Sequence, residues 1–411
     1  MKFVILFEGT DNSEHNPSLI SDIDARAKSL SPSLGVVSHL VNGTGTRGGL
    51  LRRLFNAVTG KDSSSIVLEQ YKWLANYCRI HNLSPQTQEV YVFGFSRGAY
   101  QACRFSELLF VRGIPEDERV CKEELRRYSK WLKTKNNSPV GVRCPHLRYI
   151  GLIDTVKTTI DDGFPRVGVT LPPSVACRHA VSIHEARRMF TPVLLSETNA
   201  TVDEQWFAGV HADLGRGYRS KNSNWIARTK HCLAKSAFVK ACHKIGIYST
   251  QTNFTAKSCD AKTLPHIVAS WITKPVPFLA VPPTEGNTVN VLMLANCLPF
   301  LLHYSQFEIT NVCGKLNPFP RKVPRDKVHV SVKALYSVYS TFPQWYSASY
   351  RRILFCAYRN LGEGWTPILV NKTERKLVAQ LTSTNPTNYW AIDQALRLNG
   401  FVGGVINPFC E

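Results

Sequence analysis

Residues Val90 to Tyr100 read Val-Tyr-Val-Phe-Gly-Phe-Ser-Arg-Gly-Ala-Tyr. An apolar, strand-forming run passes straight into Gly-x-Ser-x-Gly, and helix-compatible residues follow from Ala99 to Leu109. Strand, sharp turn and helix in that order form the setting of a nucleophile elbow. Such a turn forces the serine into a strained backbone conformation, so its neighbours two positions away on either side, Gly94 and Gly98, have to be small. The Ser96 oxygen then stands out from the strand end, and the first amides of the helix point toward it. That geometry serves acyl transfer, in which preorganised donors stabilise an oxyanion. The bland alternative is an ordinary strand-to-helix turn lined with small residues.

The rest of the chain supplies a setting for the elbow. Residues 3 to 7 read as a buried strand, followed by the polar turn Gly9-Thr10-Asp11-Asn12-Ser13 and a loop-like stretch. That stretch holds Asn42-Gly43-Thr44-Gly45-Thr46-Arg47-Gly48-Gly49, which lacks the Gly-Lys-Ser/Thr ending of a phosphate-binding loop. Helices are expected over residues 66–80, 116–135, 174–188 and 225–245. Further strands are expected over 147–153 and 204–210. Alternating strands and helices argue for an α/β chain with an α/β-hydrolase-like, doubly wound, mostly parallel sheet, carrying insertions and a C-terminal extension. The expected organisation is a core over 1–250, an insertion or cap with late core elements over 251–345, and an extension over 346–411. Beyond residue 250 the periodicity weakens, and proline-rich stretches such as Pro275-Val276-Pro277 and Pro282-Pro283 appear.

Charge is the unusual part of the composition. Lys and Arg number 50 against 30 Asp and Glu, a formal +20 over 411 residues. Such a field favours anionic partners: acidic lipid head groups, an acidic protein or nucleic acid. The basic residues are spread out rather than gathered in a tail, which speaks against nucleic acid as the first choice. The 12 cysteines form no Cys-x-x-Cys pair and no zinc-finger spacing, so buried thiols are expected and no metal site. The opening apolar run is too short for a signal peptide and is broken by Glu8. The longest greasy run, Val289 to Leu302, is interrupted by Asn290, Asn296 and Pro299 and is too short to span a bilayer. Synthesis in the cytoplasm is expected, with a peripheral membrane position or export without a cleaved signal left open. The segment from Pro275 to Leu302 is the candidate lipid-facing cap, with core as its competing reading.

A serine hydroxyl attacks only when a base takes its proton, and the base is held in the right tautomer by a carboxylate. In α/β hydrolases these groups follow the chain order Ser, Asp or Glu, His. Ser96, Asp154 and His211 satisfy that order, each after an apolar strand. Functional groups collect at the carboxyl ends of strands in such sheets. Asp161, Asp162 and Asp203 compete for the acid, and His184, His266 and His329 for the base.

Several motifs now resemble one family, an α/β hydrolase domain that includes type VI secretion phospholipase effectors. Its first strand ends in Asp-Gly-Thr-x-Asn, and this chain has Glu8-Gly9-Thr10-Asp11-Asn12. Its elbow, Gly-Phe-Ser-Arg-Gly-Ala-Tyr, is matched residue for residue from Gly94 to Tyr100. The acid strand resembles Gly151-Leu152-Ile153-Asp154-Thr155-Val156, and a His-Glu-Arg-Arg segment before Phe-x-Pro resembles His184 to Pro192. The base motif Trp-Phe-x-Gly-Val-His-x-Asp-x-Gly-x-Gly-Tyr is matched from Trp206 to Tyr218, and a late element is similar to Val328-His329-Val330-Ser331-Val332. Two departures stand out: Glu8 where the family has Asp, and Arg216 where it has Gly.

The resemblance implies an esterase acting on lipid, a phospholipase, with Ser96, Asp154 and His211 as the triad. The oxyanion hole is expected from the Arg97 backbone amide and a donor in the Gly9-Thr10 turn. No metal or organic cofactor is needed for that chemistry. The competing expectations are an esterase or thioesterase on small soluble substrates, and a non-catalytic hydrolase-fold protein that uses its basic surface for binding.

Overall fold

The computed structural model describes residues 1–9, 18–43, 63–133, 147–157, 174–183, 190–195, 201–207, 211–216 and 263–280, and a few single positions among 168–171, 185, 209, 327 and 329. Their elements run β1 (Lys2–Phe7), α1 (Leu19–Ser29), α2 (Ser31–Leu34), β2 (Val36–Val41), α3 (Ser63–Ile80), β3 (Glu89–Phe95), α4 (Arg97–Arg112), α5 (Cys121–Lys133), β4 (Leu147–Ile153), β5 (Ala176–Ser182), β6 (Val202–Phe207), α6 (His211–Gly215) and α7 (Thr263–Thr273). The strands form one six-stranded sheet in the order β2-β1-β3-β4-β5-β6. The pairings from β2 through β5 are all parallel. This is the α/β, doubly wound architecture that the strand and helix alternation predicts.

The chain divides into two compact units. The first comprises Met1–Val181, Pro192–Glu204 and Ala269–Pro282, and the second Ser182–Thr191, Gln205–Val268 and Pro283–Glu411. In the first unit, strand residues alternate between two faces of the sheet. Phe3, Ile5 and Phe7 of β1, Val92 of β3, Ile150 and Leu152 of β4 and Cys177 of β5 share one core with buried residues of α3, α4 and α5. On the opposite face, Phe93 packs against Tyr149, and Gly151 leaves room for the Phe93 ring and Ile272. The C-terminal half of α7 covers that face: the Tyr149 hydroxyl donates to the Ile272 carbonyl at 2.5 Å. Both faces of the central strands are therefore dry, as parallel sheets require.

Helix α4 is buried on every side from Arg97 to Leu109. It even carries an ion pair inward, Arg104 to Glu107 at 2.7 Å, with the Tyr128 hydroxyl donating to the same carboxylate at 2.7 Å. The elbow thus opens a helix that the core fixes on all sides. In the second unit, the Ile183 amide donates to the Phe207 carbonyl and the His329 amide to the Trp206 carbonyl, at 2.9 and 3.0 Å. The His329 ring stacks on Phe207 at 4.2 Å.

Several sequence expectations need correction. The loop-like stretch after the first strand contains α1 and β2. Ser18 caps α1 by accepting the Ile20 amide at 2.9 Å, and the helix buries Leu19, Ile20, Ile23 and Ala27. The expected helix over 174–188 is instead a strand, β5, up to Ser182. Its pattern is disguised because Arg178 and His179 are polar, yet each has buried or half-buried partners. Arg178 donates to the Trp271 carbonyl at 2.5 Å, and His179 bonds Glu204 at 3.0 Å. Strand β6 ends at Phe207 rather than at residue 210.

The start of the candidate lipid-facing cap is core. Val276 and Leu279 are fully buried, and Phe278 packs edge-on against Tyr91 at 5.0 Å with the Lys2 ammonium over its ring. Lys2 opens β1 and Tyr91 lies early in β3, so this segment sits at the amino ends of strands, away from the elbow. The remainder of that segment, 281–302, and the helix expected over 225–245 lie outside the described residues.

Candidate active site

Strand β3 delivers Ser96 with φ 61° and ψ −127°, a combination that an L-residue adopts only under strain. The surrounding backbone imposes it. A Cβ on Gly94 would lie 2.6 Å from the Ala99 Cα, and one on Gly98 would lie 2.3 Å from the Glu8 carbonyl oxygen. Both glycines are therefore demanded by close backbone approach, as the sequence predicts. The Ser96 carbonyl accepts the Ala99 amide at 3.1 Å and starts α4. The first amides of a helix lie outside its internal ladder, and here those belong to Arg97 and Gly98.

The end of β1 packs against this turn through the Glu8 carbonyl. Glu8 is fully buried. Its carboxylate accepts the Gly9 amide at 3.3 Å and the Ser21 hydroxyl. Desolvation raises its pKa above the ordinary carboxylate value, and the hydrogen bonds from Ser18, Ser21 and Gly9 only partly offset this. Gly43 explains part of the glycine-rich stretch after β2: a Cβ there would lie 1.7 Å from the Gly9 carbonyl oxygen. Thr10 lies outside the described residues.

Strand β4 delivers Asp154, fully buried, beside the elbow. The Ser96 amide donates to the Ile153 carbonyl at 2.9 Å, and the Val156 amide to the Ser96 carbonyl at 3.3 Å. Asp154 also has a positive φ, 40°. Its amide donates to the Ala180 carbonyl at 2.7 Å. The next amide, of Thr155, donates to Nε2 of His179 at 3.1 Å, and the other ring nitrogen of His179 lies 3.0 Å from Glu204 Oε2. The structure thus brings together the ends of β1, β3 and β4, with Glu8, Gly9, Ser96, Arg97 and Asp154.

His211 belongs to the second unit, where it opens α6. It is 3% exposed. Its amide lies 3.3 Å from a carboxylate oxygen of Glu185, and its ring meets Phe190 edge-on at 4.7 Å. Both partners come from the segment that the sequence marks as His-Glu-Arg-Arg followed by Phe-x-Pro. Of the competing residues, Asp203 pairs with Arg178 at 3.3 Å, and His329 stacks on Phe207. Asp161, Asp162 and His184 lie outside the described residues, as does the side chain of His266.

Sequence reasoning missed His179 and Glu204. Their signal was weak: each is one of several polar residues in a short strand, 25 positions apart. Among the described residues, no group of His, Cys, Asp and Glu is arranged to hold a metal ion. Cys78, Cys103, Cys121 and Cys177 are buried thiols. No helix among the described residues is long and apolar enough to cross a membrane.

No curated protein matches the chain. A solved structure of the Tle1 effector bound to the VgrG spike of the type VI secretion system is 21% identical over 54% of this chain and 52% of that one, with a TM-score of 0.30. The chain thus spans about half the length of that effector. A structure of RedJ with a PEG molecule in its active site is 11% identical over 51% of this chain and 79% of that one, with a TM-score of 0.24. The model of the type VI secretion, Tle1-like phospholipase effector catalytic domain matches residues 1–240, more than half of the 411. With every motif from the first strand to the His211 turn inside that span, the chain belongs to the family of Tle1-like phospholipase effector catalytic domains.

Proposed function

We propose that this chain is a serine hydrolase that cleaves carboxylic esters of phospholipids through an acyl-enzyme, with Ser96 as nucleophile, His211 as base and Asp154 as the carboxylate that orients it. The observation that carries the reading is the strained Ser96 backbone between two obligatory glycines at the mouth of a buried helix. Strain of that kind costs on the order of 1–3 kcal/mol and persists where function needs it. Family membership supplies the lipid substrate class.

In this mechanism His211 takes the Ser96 proton as Oγ attacks the ester carbonyl. The tetrahedral oxyanion is held by the Arg97 amide and by a second donor in the Gly9-Thr10 turn. Collapse expels the lyso-lipid alcohol, which takes the proton from His211. Water, deprotonated by the same histidine, then hydrolyses the acyl-enzyme and releases a fatty acid. Asp154 stays ionised and stabilises the imidazolium. The basic surface favours an anionic bilayer as the place of work, each nearby Lys or Arg contributing on the order of 1 kcal/mol. Delivery by a type VI spike, as the name of the solved relative suggests, is part of the same proposal.

The test is fluorophosphonate labelling followed by product analysis on mixed phospholipid vesicles. Wild type is expected to label and to release fatty acid. Ser96→Ala and His211→Ala are expected to lose turnover by about 10⁴–10⁶-fold while staying folded. A folded Ser96→Ala protein with near wild-type turnover overturns the proposal. Turnover of small soluble esters alone, with intact vesicles, removes the phospholipid part.

A further inference from the structure

We infer that the buried His179–Glu204 pair is a positioning device that fixes the carboxylate of Asp154; this rests on Asp154 being the acid of the proposed triad. The register between β4 and β5 sets Leu152 opposite His179, so the imidazole stands beside the turn that follows β4. There the Thr155 amide donates to His179 Nε2 at 3.1 Å. A nitrogen that accepts an N–H carries a lone pair, so the proton of the neutral ring sits on Nδ1. Nδ1–H then donates to Glu204 Oε2 at 3.0 Å, and the same oxygen accepts the Leu195 amide at 2.9 Å. His179, Thr155 and Glu204 are all buried. Both ring nitrogens are engaged, which leaves His179 no part in proton transfer.

The consequence falls on Asp154. Its φ of 40° is one that only an over-determined backbone retains. Three of the bonds that hold it are its own amide on the Ala180 carbonyl, the Thr155 carbonyl accepting the Val193 amide at 2.8 Å, and the Thr155 amide on His179. Of the three, only the last comes from a side chain. Without an acceptor, the buried Thr155 amide favours rotation of the 154–155 peptide plane. That rotation relaxes Asp154 and swings its carboxylate off the line to the base. Glu204 keeps the acceptor in place by fixing the tautomer, as outer carboxylates do for histidines elsewhere.

The substitutions that separate positioning from mere packing follow from where each side chain puts its atoms. His179→Gln keeps an acceptor near the Nε2 position, His179→Asn keeps a polar atom only near Nδ1, and His179→Leu keeps neither. With a soluble p-nitrophenyl acyl ester, His179→Leu and His179→Asn are expected to lower kcat about 100-fold with KM within about threefold, as a small misplacement of a catalytic group does. His179→Gln is expected to recover to within about tenfold of wild type. Glu204→Gln, which keeps an acceptor oxygen, should behave like His179→Gln. Long-range ¹⁵N–¹H spectra should show His179 protonated on Nδ1. A folded His179→Leu protein with wild-type kcat, a Gln variant no better than the Asn variant, or an Nε2-protonated ring each overturns the inference. If His179→Leu does not fold, the Gln-against-Asn contrast and the tautomer decide. Ser96→Ala serves as the control: if it keeps turnover, the triad itself falls, whereas a dead Ser96→Ala beside a fully active His179→Leu sinks this inference alone.

Discussion

Two turns on neighbouring strands hold a non-glycine residue at positive φ, and they are held by opposite means. At the end of β3, Ser96 is fixed by closeness: Gly94 and Gly98 have no side chain, and backbone fills the space where one would be. At the end of β4, Asp154 is fixed by reach: the Ala180 carbonyl, the 192–193 segment and the His179 ring each take a hydrogen bond from or give one to its turn. The first device is backbone of α4 and β1 packed where a Cβ would stand, beside backbone hydrogen bonds that join Ser96 to Ile153 and Val156. The second gathers polar groups from about 25 to 40 positions away. A turn held by missing side chains is hard to vary at any single position. A turn held by long-range hydrogen bonds can lose one support and keep its fold while losing its aim.

The largest effect expected from that contrast is at Gly98. An alanine there meets the Glu8 and Phe7 carbonyl oxygens at 2.3 and 2.4 Å, and both are backbone atoms at the carboxyl end of β1. They have no rotamer to escape to, so Gly98→Ala should cost about 3 kcal/mol or more and abolish turnover. Gly113→Ala is the matched control. Gly113 also has a positive φ, 71°, yet no atom lies within 4 Å of the added carbon. With ψ −169° this is a conformation that only glycine adopts freely, so that substitution should cost about 1–3 kcal/mol from backbone strain alone and spare the activity. Urea midpoints of the two variants decide: equal costs would mean that close packing does not hold the elbow.

The same contrast explains what the sequence made legible. The elbow was readable because its support is a pair of glycines at fixed spacing beside a strand and a helix. Strands β1, β3 and β4 were readable as short apolar runs, and so was the α/β class. Strand β5 was not, because Arg178 and His179 break its apolar alternation, and their partners lie in α7 and β6. With β5 mistaken for a helix, His179 had no reason to face Asp154. Helix α1 was missed although its Ser18 cap and its buried stripe of Leu19, Ile20, Ile23 and Ala27 are all written locally. The polar run before it drew the whole stretch into one loop. In the sequence Gly43 is one of several glycines in a loop, and only the fold shows that it lets the chain after β2 pass the Gly9 carbonyl.

One group makes the elbow's surroundings less apolar than its glycines suggest. Glu8, whose carbonyl abuts Gly98, buries a carboxyl whose pKa lies above its ordinary value of 4.5 because desolvation outweighs its hydrogen bonds. The unfolded state therefore gives up this proton at lower pH than the folded state does. Between those two points the folded state binds more protons, so stability attributable to Glu8 is present at low pH and falls as pH rises through the folded value. Relative to Glu8→Gln, wild type should lose stability on going from pH 4 to pH 8, measured by urea unfolding at each pH. A constant difference across that range, or one of opposite sign, would show that the Ser18, Ser21 and Gly9 donors overcome the burial.

The smallest expected effect is at Arg216, which tests whether strain beside a candidate catalytic residue is always functional. Arg216 follows α6 with φ 62°, at the position where the resembled motif carries glycine. Unlike Ser96, it projects no proposed reacting atom. A left-handed conformation costs a non-glycine residue about 1–2 kcal/mol. Glycine there avoids that cost but gives back about 0.5–1 kcal/mol through the greater freedom of the unfolded chain. Arg216→Gly should therefore stabilise the protein by about 0.5–1 kcal/mol and leave kcat unchanged. A stabilised variant with normal turnover marks this strain as incidental, in contrast to that at Ser96 and Asp154. A destabilised variant, or one with lowered kcat, means that the guanidinium holds the loop beside His211, and a positive φ there belongs with the other two.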